Sequence, residues 1–186
     1  SIASVAKVAL WTSDGSTTGT SIEIEGSLVK KQHAGALRKG TDIKVSQLFF
    51  NTPARLKYMK TIQTELGHII DLINRLALCY PSIAFKLRHG EQVLLHTNGR
   101  GDLQQVIAAI YGMAIAKKMI PFEGESSDYR IHGYASLPEI TRASKNYLTL
   151  FVNGRWVKHY SVQQSIVNAY HTFLPIERYP LVIMNI

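Results

Sequence analysis

The sequence predicts an α+β fold, with strands and helices in separate stretches of the chain. The first fifty residues alternate apolar and polar side chains with the two-residue period of strands. Residues 61–78 then repeat apolar side chains every three or four positions, which is typical of one face of a helix. The rest of the chain mixes strand patterns with two shorter helical ones, so we expect a sheet covered by helices on one face.

The N-terminal stretch predicts the end of a helix followed by several strands. Apolar residues alternate with polar ones in these strands, and turns separate them, so we expect neighbouring strands to pair antiparallel. The helical residues are 1–6, and the strands are 7–12, 21–25, 28–33 and 41–48.

The stretch 40–55 predicts a strand that runs directly into a helix. Polar and apolar residues alternate over 42–46. Three apolar residues follow at 48–50, which we expect to anchor the strand end in a core. Asn51 or Thr52 can then cap a helix, and Pro53 suits a first turn that needs no backbone N–H.

The predicted helix at 61–78 ends before Pro81, and the next elements come after it. A hairpin is expected at 83–95, and Asp102 has the position of a capping residue for a helix that Gly112 closes. We then expect three strands, a helix and a final strand, at 119–123, 129–137, 147–152, 161–173 and 179–186.

The composition restricts the class of protein. With 21 Lys and Arg against 13 Asp and Glu, the chain carries a net charge of +8, which favours a polyanionic partner. No apolar run reaches bilayer length, and the first residues do not form a secretory signal. The lone Cys79 excludes an intrachain disulfide, so we expect a reducing cytoplasm. The missing initial Met indicates a processed product or an excised piece.

No set of catalytic or metal-ligating residues is recognisable in the sequence. The seven histidines are scattered, and no two of them have a metal-binding spacing beside a carboxylate. No Ser/His/Asp or Cys/His arrangement is evident either. We therefore predict neither catalytic residues nor metal ligands in this chain.

One segment combines cations with aromatic side chains. Arg155 and Lys158 follow a turn beside Trp156, and Arg142 and Lys145 lie shortly upstream. Such cations can contact phosphates while exposed aromatic rings stack on bases. The alternative is that Trp156 belongs to the core and the cations are solvated, and the pattern leaves both interpretations open.

Several motifs together resemble one known family. The stretch 40–55 has the pattern Gly-Thr-x-x-x-Val-x-x-Leu-Phe-x-Asn-x-Pro-Ala-Arg, which resembles the signature of MutL-type DNA mismatch repair proteins. It also resembles the fourth nucleotide-site motif of the gyrase, chaperone, histidine-kinase and MutL ATPase superfamily. Residues 1–5 are similar to those that follow the family's Gly-Phe-Arg-Gly-Glu-Ala-Leu motif, and residues 151–155 to a strand and turn of its second domain. The order of a long helix, a hairpin and Tyr111-Gly112 also fits, so the resemblance covers essentially the whole chain.

The resemblance implies two domains. Residues 1–78 would form the C-terminal portion of an ATPase-type sandwich, and residues 79–186 a transducer domain with a ribosomal-protein-like fold. We expect the two to pack closely, because no Gly/Ser linker occurs near residues 78–81. The family's magnesium-binding motif, adenine motif and lid would precede Ser1, and its γ-phosphate lysine would follow Ile186.

The resemblance also implies roles for individual residues. Gly40 and Thr41 would lie near the adenine of ATP, and Arg55 would hold the junction between strand and helix. Arg155 and Lys158 would face a DNA-binding groove, although Tyr160 replaces a cation that some members have. ATP and Mg²⁺ are expected in the full-length parent, whereas this chain alone is not expected to bind them well or to hydrolyse ATP.

The implied function is DNA mismatch repair, in which an ATP-dependent MutL matchmaker couples mismatch recognition to nicking or unwinding. The implied partners are DNA, bound weakly and without sequence specificity, a mismatch-sensor protein and a second copy of the parent, with no membrane. The implied location is the cytoplasm, in association with the nucleoid. Two alternatives stay open: a nucleic-acid-binding α+β module without an ATPase parent, and a gyrase-type ATPase transducer.

Overall fold

The computed structural model describes the chain in three ranges, 1–16, 18–35 and 38–186. It divides into an N-terminal unit, Ser1–Glu65, and a C-terminal unit, Leu66–Ile186. Both units combine helices with strands, so the predicted α+β class is confirmed. The division lies near the start of the long helix Ile62–Cys79, whereas the domain boundary expected from the sequence lies near the end of that helix and stays a prediction.

The N-terminal unit consists of short helices and one sheet. Its elements are α1 (Ile2–Val5), β1 (Lys7–Ser13), β2 (Gly19–Glu25), β3 (Leu28–Gly35), β4 (Gly40–Ser46) and α2 (Pro53–Leu56). The strands pair antiparallel in the order β3-β2-β1-β4, which confirms the predicted pairing. Leu10 lies opposite Ile22 on one side and Ile43 on the other, so the alternation in the sequence places these side chains on one face.

The start of α2 differs from the sequence prediction. Thr52 occupies the N-cap position and Pro53 the first turn, as expected, but no side chain caps the helix. The buried Thr52 hydroxyl has no hydrogen-bond partner among the described residues. Asn51 is used elsewhere, because its amide nitrogen donates to the Ser4 carbonyl at 2.9 Å. The predicted cap is therefore wrong in its chemistry, although the helix begins where expected.

Two of the three apolar residues after β4 lie at the surface, against the expectation that this segment anchors the strand end in a core. Leu48 and Phe50 are each 39% exposed. The backbone turns here with positive φ angles at Gln47 and Phe49, a conformation that strands do not contain. The strand consequently ends at Ser46 rather than at residue 48.

The C-terminal unit contains most of α3 and all later elements. These are α3 (Ile62–Cys79), β5 (Lys86–His89), β6 (Gln92–His96), α4 (Leu103–Tyr111), α5 (Met113–Ala116), β7 (Met119–Glu125), β8 (Arg130–Ser136), β9 (Thr141–Arg142), a 3₁₀ helix (Lys145–Tyr147), β10 (Leu148–Val152), β11 (Arg155–Val157), α6 (Tyr160–Ala169), β12 (Tyr179–Pro180) and β13 (Val182–Asn185). The main sheet has the order β11-β10-β13-β8-β7. Its β10 and β13 are parallel, and its other neighbours are antiparallel. Separate two-stranded sheets pair β5 with β6 and β9 with β12.

Local signals in the sequence predict the start and end of α4 correctly. The Asp102 carboxylate accepts a hydrogen bond from the Gln105 backbone N–H at 3.1 Å, which is the expected cap. Gly112 follows the helix with a φ of 93°, a conformation that favours glycine. The hairpin also forms, but its first strand begins at Lys86 instead of residue 83.

The region after β8 needs more corrections. The expected third strand begins at Leu148, because Lys145–Tyr147 forms a 3₁₀ turn. The helix α6 begins before residue 161, since the Val162 backbone N–H donates to His159 Nδ1 at 3.4 Å and His159 thereby caps the helix. It also ends at Ala169, earlier than the predicted residue 173.

The core lies in the C-terminal unit, where helices cover the central strands. Phe151 of β10 and Ile183 of β13 pack in one cluster with Leu78 of α3 and Ile107 of α4, and none of the four is more than 1% exposed. Among the described residues, Ala6 alone of the buried apolar side chains belongs to the N-terminal unit. Because apolar burial supplies most of the stabilising free energy, the two units differ in what holds them together.

This difference predicts unequal protection of backbone amides from hydrogen exchange. We expect amides of β10 and β13 to exchange most slowly, because their side chains form the core. Amides of β3 should exchange much faster, since every residue of that edge strand is exposed. Exchange followed by mass spectrometry on peptic fragments measures both. Equal protection of β3 and β10 would contradict this account.

Candidate functional site

Gly40 and Thr41 begin β4 at the edge of the N-terminal sheet. Thr41 lies opposite Thr12 of β1, and their hydroxyl oxygens are 2.9 Å apart, so the two side chains share a hydrogen bond. Gly40 has a φ of 129°, which favours glycine, and an added Cβ would meet no described atom within 4 Å. A ligand can therefore approach this backbone and the exposed Thr41 hydroxyl without displacing a side chain.

Arg55 lies in the last turn of α2, where its side chain is exposed. Its backbone N–H donates to the Thr52 carbonyl at 2.9 Å, and its carbonyl accepts from the Tyr58 N–H at 3.1 Å. The backbone of Arg55 thus takes part in the turn. A holding role for its side chain stays a prediction.

The turn that precedes the predicted basic residues is well defined. Asn153 and Gly154 both have positive φ angles, 48° and 73°, as the tightest hairpin turns require. This turn joins β10 to β11, and Arg155 is the first residue of β11 at the edge of the main sheet. The Tyr80 hydroxyl donates to the Gly154 carbonyl at 2.8 Å, which fixes the turn to the end of α3.

Trp156 lies at the surface beside two cations. Its side chain is 40% exposed, so the alternative that it belongs to the core is wrong. The guanidinium carbon of Arg75 lies 3.8 Å from the centre of its ring, and Lys158 Nζ lies 5.4 Å from the same centre. Arg75 also pairs with Asp71 at 2.5 Å. These contacts orient the indole ring at the edge of the sheet.

A second pairing of cation and ring continues the same surface. Lys145 Nζ lies 5.6 Å from the ring centre of Tyr160, which is 72% exposed, and 5.4 Å from that of Tyr179. No described carboxylate forms an ion pair with Arg155, Lys158 or Lys145. We define the basic–aromatic surface as Arg155, Trp156, Lys158, Tyr160 and Lys145.

Arg142 occupies a different environment from the other predicted DNA contacts. It lies on the short strand β9, and its guanidinium carbon is 5.0 Å from the ring centre of Tyr147. Its Nε is buried and has no hydrogen-bond partner among the described residues. The structure therefore places this cation at a pocket wall, and a contact of Arg142 with DNA stays a prediction.

Sequence reasoning missed Arg75 and Tyr80. Both belong to the end of α3 or follow it, in a helix whose pattern indicated only a cover for the sheet. Their partners, Trp156 and Gly154, lie far along the chain, and no local signal connects them. Only the packing of α3 against the main sheet brings these residues together.

The described residues contain no group of three or more His, Cys, Asp or Glu side chains that could hold a metal ion. Burial raises the pKa of the Cys79 thiol, which lowers its reactivity at neutral pH. No helix within the described ranges has the length and apolar character needed to cross a membrane.

The contact between Arg75 and Trp156 predicts a spectroscopic change. In a Trp11→Phe background, where Trp156 is the only tryptophan, Arg75→Ala should shift its fluorescence emission to longer wavelength, because water replaces the side chain that covers the ring. Asp71→Asn is the control, since it removes the ion pair and leaves the cation on the ring. An unchanged spectrum in Arg75→Ala would contradict the contact.

Comparisons with known proteins agree on one family. The family model described as "DNA mismatch repair protein, C-terminal domain" matches residues 107–186. The MutL protein of Listeria monocytogenes is 55% identical over 186 residues, and that of Geobacillus thermodenitrificans is 58% identical over the same length. Each match covers 100% of this chain, which spans 31% and 29% of those relatives.

Solved structures share the fold. The Aquifex aeolicus MutL ATPase domain complexed with ADP matches with a TM-score of 0.79, over 99% of this chain and 68% of that one, at 22% sequence identity. At this identity the likeness shows the fold alone, and it agrees with the expected ATPase-type architecture. The sequence identity to the Listeria and Geobacillus proteins, which extends from the first residue to the last, establishes the relationship: this chain belongs to the MutL family of DNA mismatch repair proteins.

Proposed function

We propose that this chain is part of an ATP-dependent matchmaker that couples mismatch recognition to nicking or unwinding of DNA. The observation that carries the proposal is identity above one half to MutL proteins over all 186 residues. This identity favours mismatch repair over an isolated nucleic-acid-binding module and over a gyrase-type transducer. The proposed activity is that of the whole protein. This chain spans 31% of the Listeria relative, which is therefore about three times as long.

Gly40 and Thr41 are proposed to contact a nucleotide. The ADP-bound Aquifex domain has the same fold, and in this chain the backbone at Gly40 is open and the Thr41 hydroxyl is exposed. These features fit a ligand that needs close backbone approach and one hydroxyl, as the edge of an adenine ring does. ATP with Mg²⁺ is the expected nucleotide of the whole protein, and it supplies the phosphoanhydride bond whose hydrolysis drives the cycle.

The basic–aromatic surface is proposed to bind DNA. Arg155, Lys158 and Lys145 provide positive charge for phosphates, and they have no described carboxylate as a partner. Trp156 and Tyr160 expose rings between these cations, which suits contacts with sugars and bases. Contacts between these cations and phosphates carry no sequence information, so we expect binding without sequence specificity.

The remaining partners are proposed from family membership. They are a mismatch-sensor protein and a second copy of the whole protein, with the nucleoid as the location. The net charge of +8 is compatible with such a location, because it favours association with DNA.

The proposed DNA binding is tested by its dependence on salt. Fluorescence anisotropy of a labelled duplex, titrated with the chain at several chloride concentrations, gives the observed binding constant. We expect a slope of log Kobs against log salt of about −0.9 for each phosphate contacted, and hence near −3 for the three cations. Binding that does not weaken as salt rises would contradict the proposal.

A further inference from the structure

A polar pocket of the C-terminal unit has Arg142 in its wall, and it lies outside the basic–aromatic surface proposed to bind DNA. It has a volume of about 570 Å³ and lies between α3, the end of α4 and the residues around β9 and the 3₁₀ turn. Its size falls within the range of sites for small molecules. The polar side chains that matter here are Asn74, Arg75, Tyr111, Arg142, Ser144 and Asn146.

The charges that line this pocket do not balance. Asp71 is its only acidic residue, and it already pairs with Arg75 at 2.5 Å. Arg142 is the second cation, and no described carboxylate pairs with it. The pocket therefore carries a net charge of about +1, and a cation at the wall of a partly buried pocket is costly unless an anion accompanies it.

The orphaned nitrogen of Arg142 points to the same conclusion. Its Nε is removed from solvent and has no hydrogen-bond partner among the described residues. Buried polar atoms are nearly always satisfied, so this exception shows that Arg142 in the pocket wall does not use all of its side-chain donors within the described residues. A guanidinium offers its donors in a planar fork that matches two oxygens of an oxyanion.

Neighbouring groups supply further donors. The Ser144 hydroxyl oxygen accepts a hydrogen bond from the Asn146 backbone N–H at 3.2 Å, which leaves its proton for a ligand. Burial, followed by the nearby Tyr147 and Asp71, raises the pKa of Tyr111 to about 12, so its hydroxyl stays protonated and can donate. The side-chain amides of Asn74 and Asn146 add N–H groups.

We propose that this pocket binds a phosphoryl group, with Arg142 as its principal contact. The donors from Arg142, Ser144, Tyr111 and the asparagines outnumber the two oxygens of a carboxylate and suit the three oxygens of a phosphate ester. The group belongs either to a free phosphate compound of up to mononucleotide size or to a phosphate of bound DNA. In both cases the chemistry at Arg142 is the same.

The test compares two phosphate sources on the same variants. Inorganic phosphate is titrated into the chain by isothermal calorimetry at constant ionic strength, and a labelled DNA duplex is titrated by anisotropy. Arg142→Gln should weaken phosphate binding at least about tenfold, since a hydrogen bond to a charged group is lost. Arg130→Gln is the matched control, because Arg130 is on β8, outside the pocket, and pairs with Glu123 at 3.7 Å.

A second variant keeps the test decisive if Arg142→Gln folds poorly. Asn74→Asp has nearly the same shape and adds a negative charge to the pocket, so it should also weaken phosphate binding. Loss of inorganic phosphate binding in both variants supports a free phosphate compound as ligand. Loss of DNA affinity alone, with the control unaffected, supports a backbone phosphate. Wild-type behaviour of both variants toward both probes would overturn the proposal.

Discussion

Reversing the charges of Arg155 and Lys158 together is expected to remove most of the affinity for DNA. The double variant Arg155→Glu/Lys158→Glu loses two proposed phosphate contacts and places two carboxylates on the basic–aromatic surface. Each lost charge-assisted contact should weaken the affinity for DNA roughly tenfold or more. The salt slope should fall by about two units. Anisotropy titrations of a labelled duplex at several salt concentrations measure both quantities.

A matched variant separates this local effect from net charge. Lys118→Glu/Arg130→Glu changes the total charge by the same amount, but its residues lie at or near β7 and β8, at the other edge of the main sheet. Both cations form exposed ion pairs, with Glu139 and Glu123, and such pairs contribute little to stability. We expect a much smaller loss of affinity. An equal loss in the two double variants would mean that net charge, and not the basic–aromatic surface, binds DNA.

Replacing Gly133 is expected to have the largest effect on stability. Gly133 lies in β8 opposite Met184 of β13, and an added Cβ would overlap the carbonyl oxygen of Ile183. It would also lie 2.9 Å from the Ile183 carbonyl carbon and 3.1 Å from Met184 Cα. Because these are backbone atoms, no rotamer change relieves the overlap. Gly133→Ala should therefore lower the free energy of unfolding by about 3 kcal/mol or more.

Gly67→Ala makes the same chemical change, but we expect it to raise the stability of the protein. Gly67 lies in α3, and an added Cβ meets no described atom within 4 Å. Alanine has the higher helix propensity, so this variant should be more stable than the wild type by roughly 0.8–1 kcal/mol. Urea denaturation followed by circular dichroism measures both variants. If Gly133→Ala unfolds at the wild-type urea concentration, β8 and β13 do not approach each other as described.

Local patterns were sufficient to predict most of the longer helices and strands. The alternation in β1 to β4 predicts antiparallel strands, and Asp102 with Gln105 predicts the start of α4, because each signal acts over a few neighbouring residues. The two- to four-residue elements β9, β11 and α5 were not predicted, since they are too short to show a period. The cap at Thr52 was predicted wrongly because a favourable residue type does not ensure a favourable side-chain direction.

In the candidate sites too, the sequence predicts what neighbouring residues determine and not what long-range packing determines. Gly40 and Thr41 are recognisable because their motif is contiguous in the sequence. The segment at residues 153–160 that combines cations with aromatic side chains is also contiguous. Its Trp156 is exposed, as a contact with DNA bases requires. Long-range packing decides the rest: it brings Arg75 onto Trp156 and places Arg142 at a pocket wall, apart from the turn that suggested a common role.

The assignment of this chain to DNA mismatch repair is tested most directly by the mutation frequency of a strain in which a MutL segment is exchanged. The matching segment of the Listeria monocytogenes MutL protein, 55% identical over 186 residues, is replaced by this chain, and spontaneous resistance mutations are counted in cells with equal protein levels. We predict that the exchanged protein restores the low frequency of the wild-type strain. The same protein with Arg155→Glu/Lys158→Glu should show the high frequency of a strain that lacks MutL. A high frequency with the unmodified segment would contradict the assignment to mismatch repair.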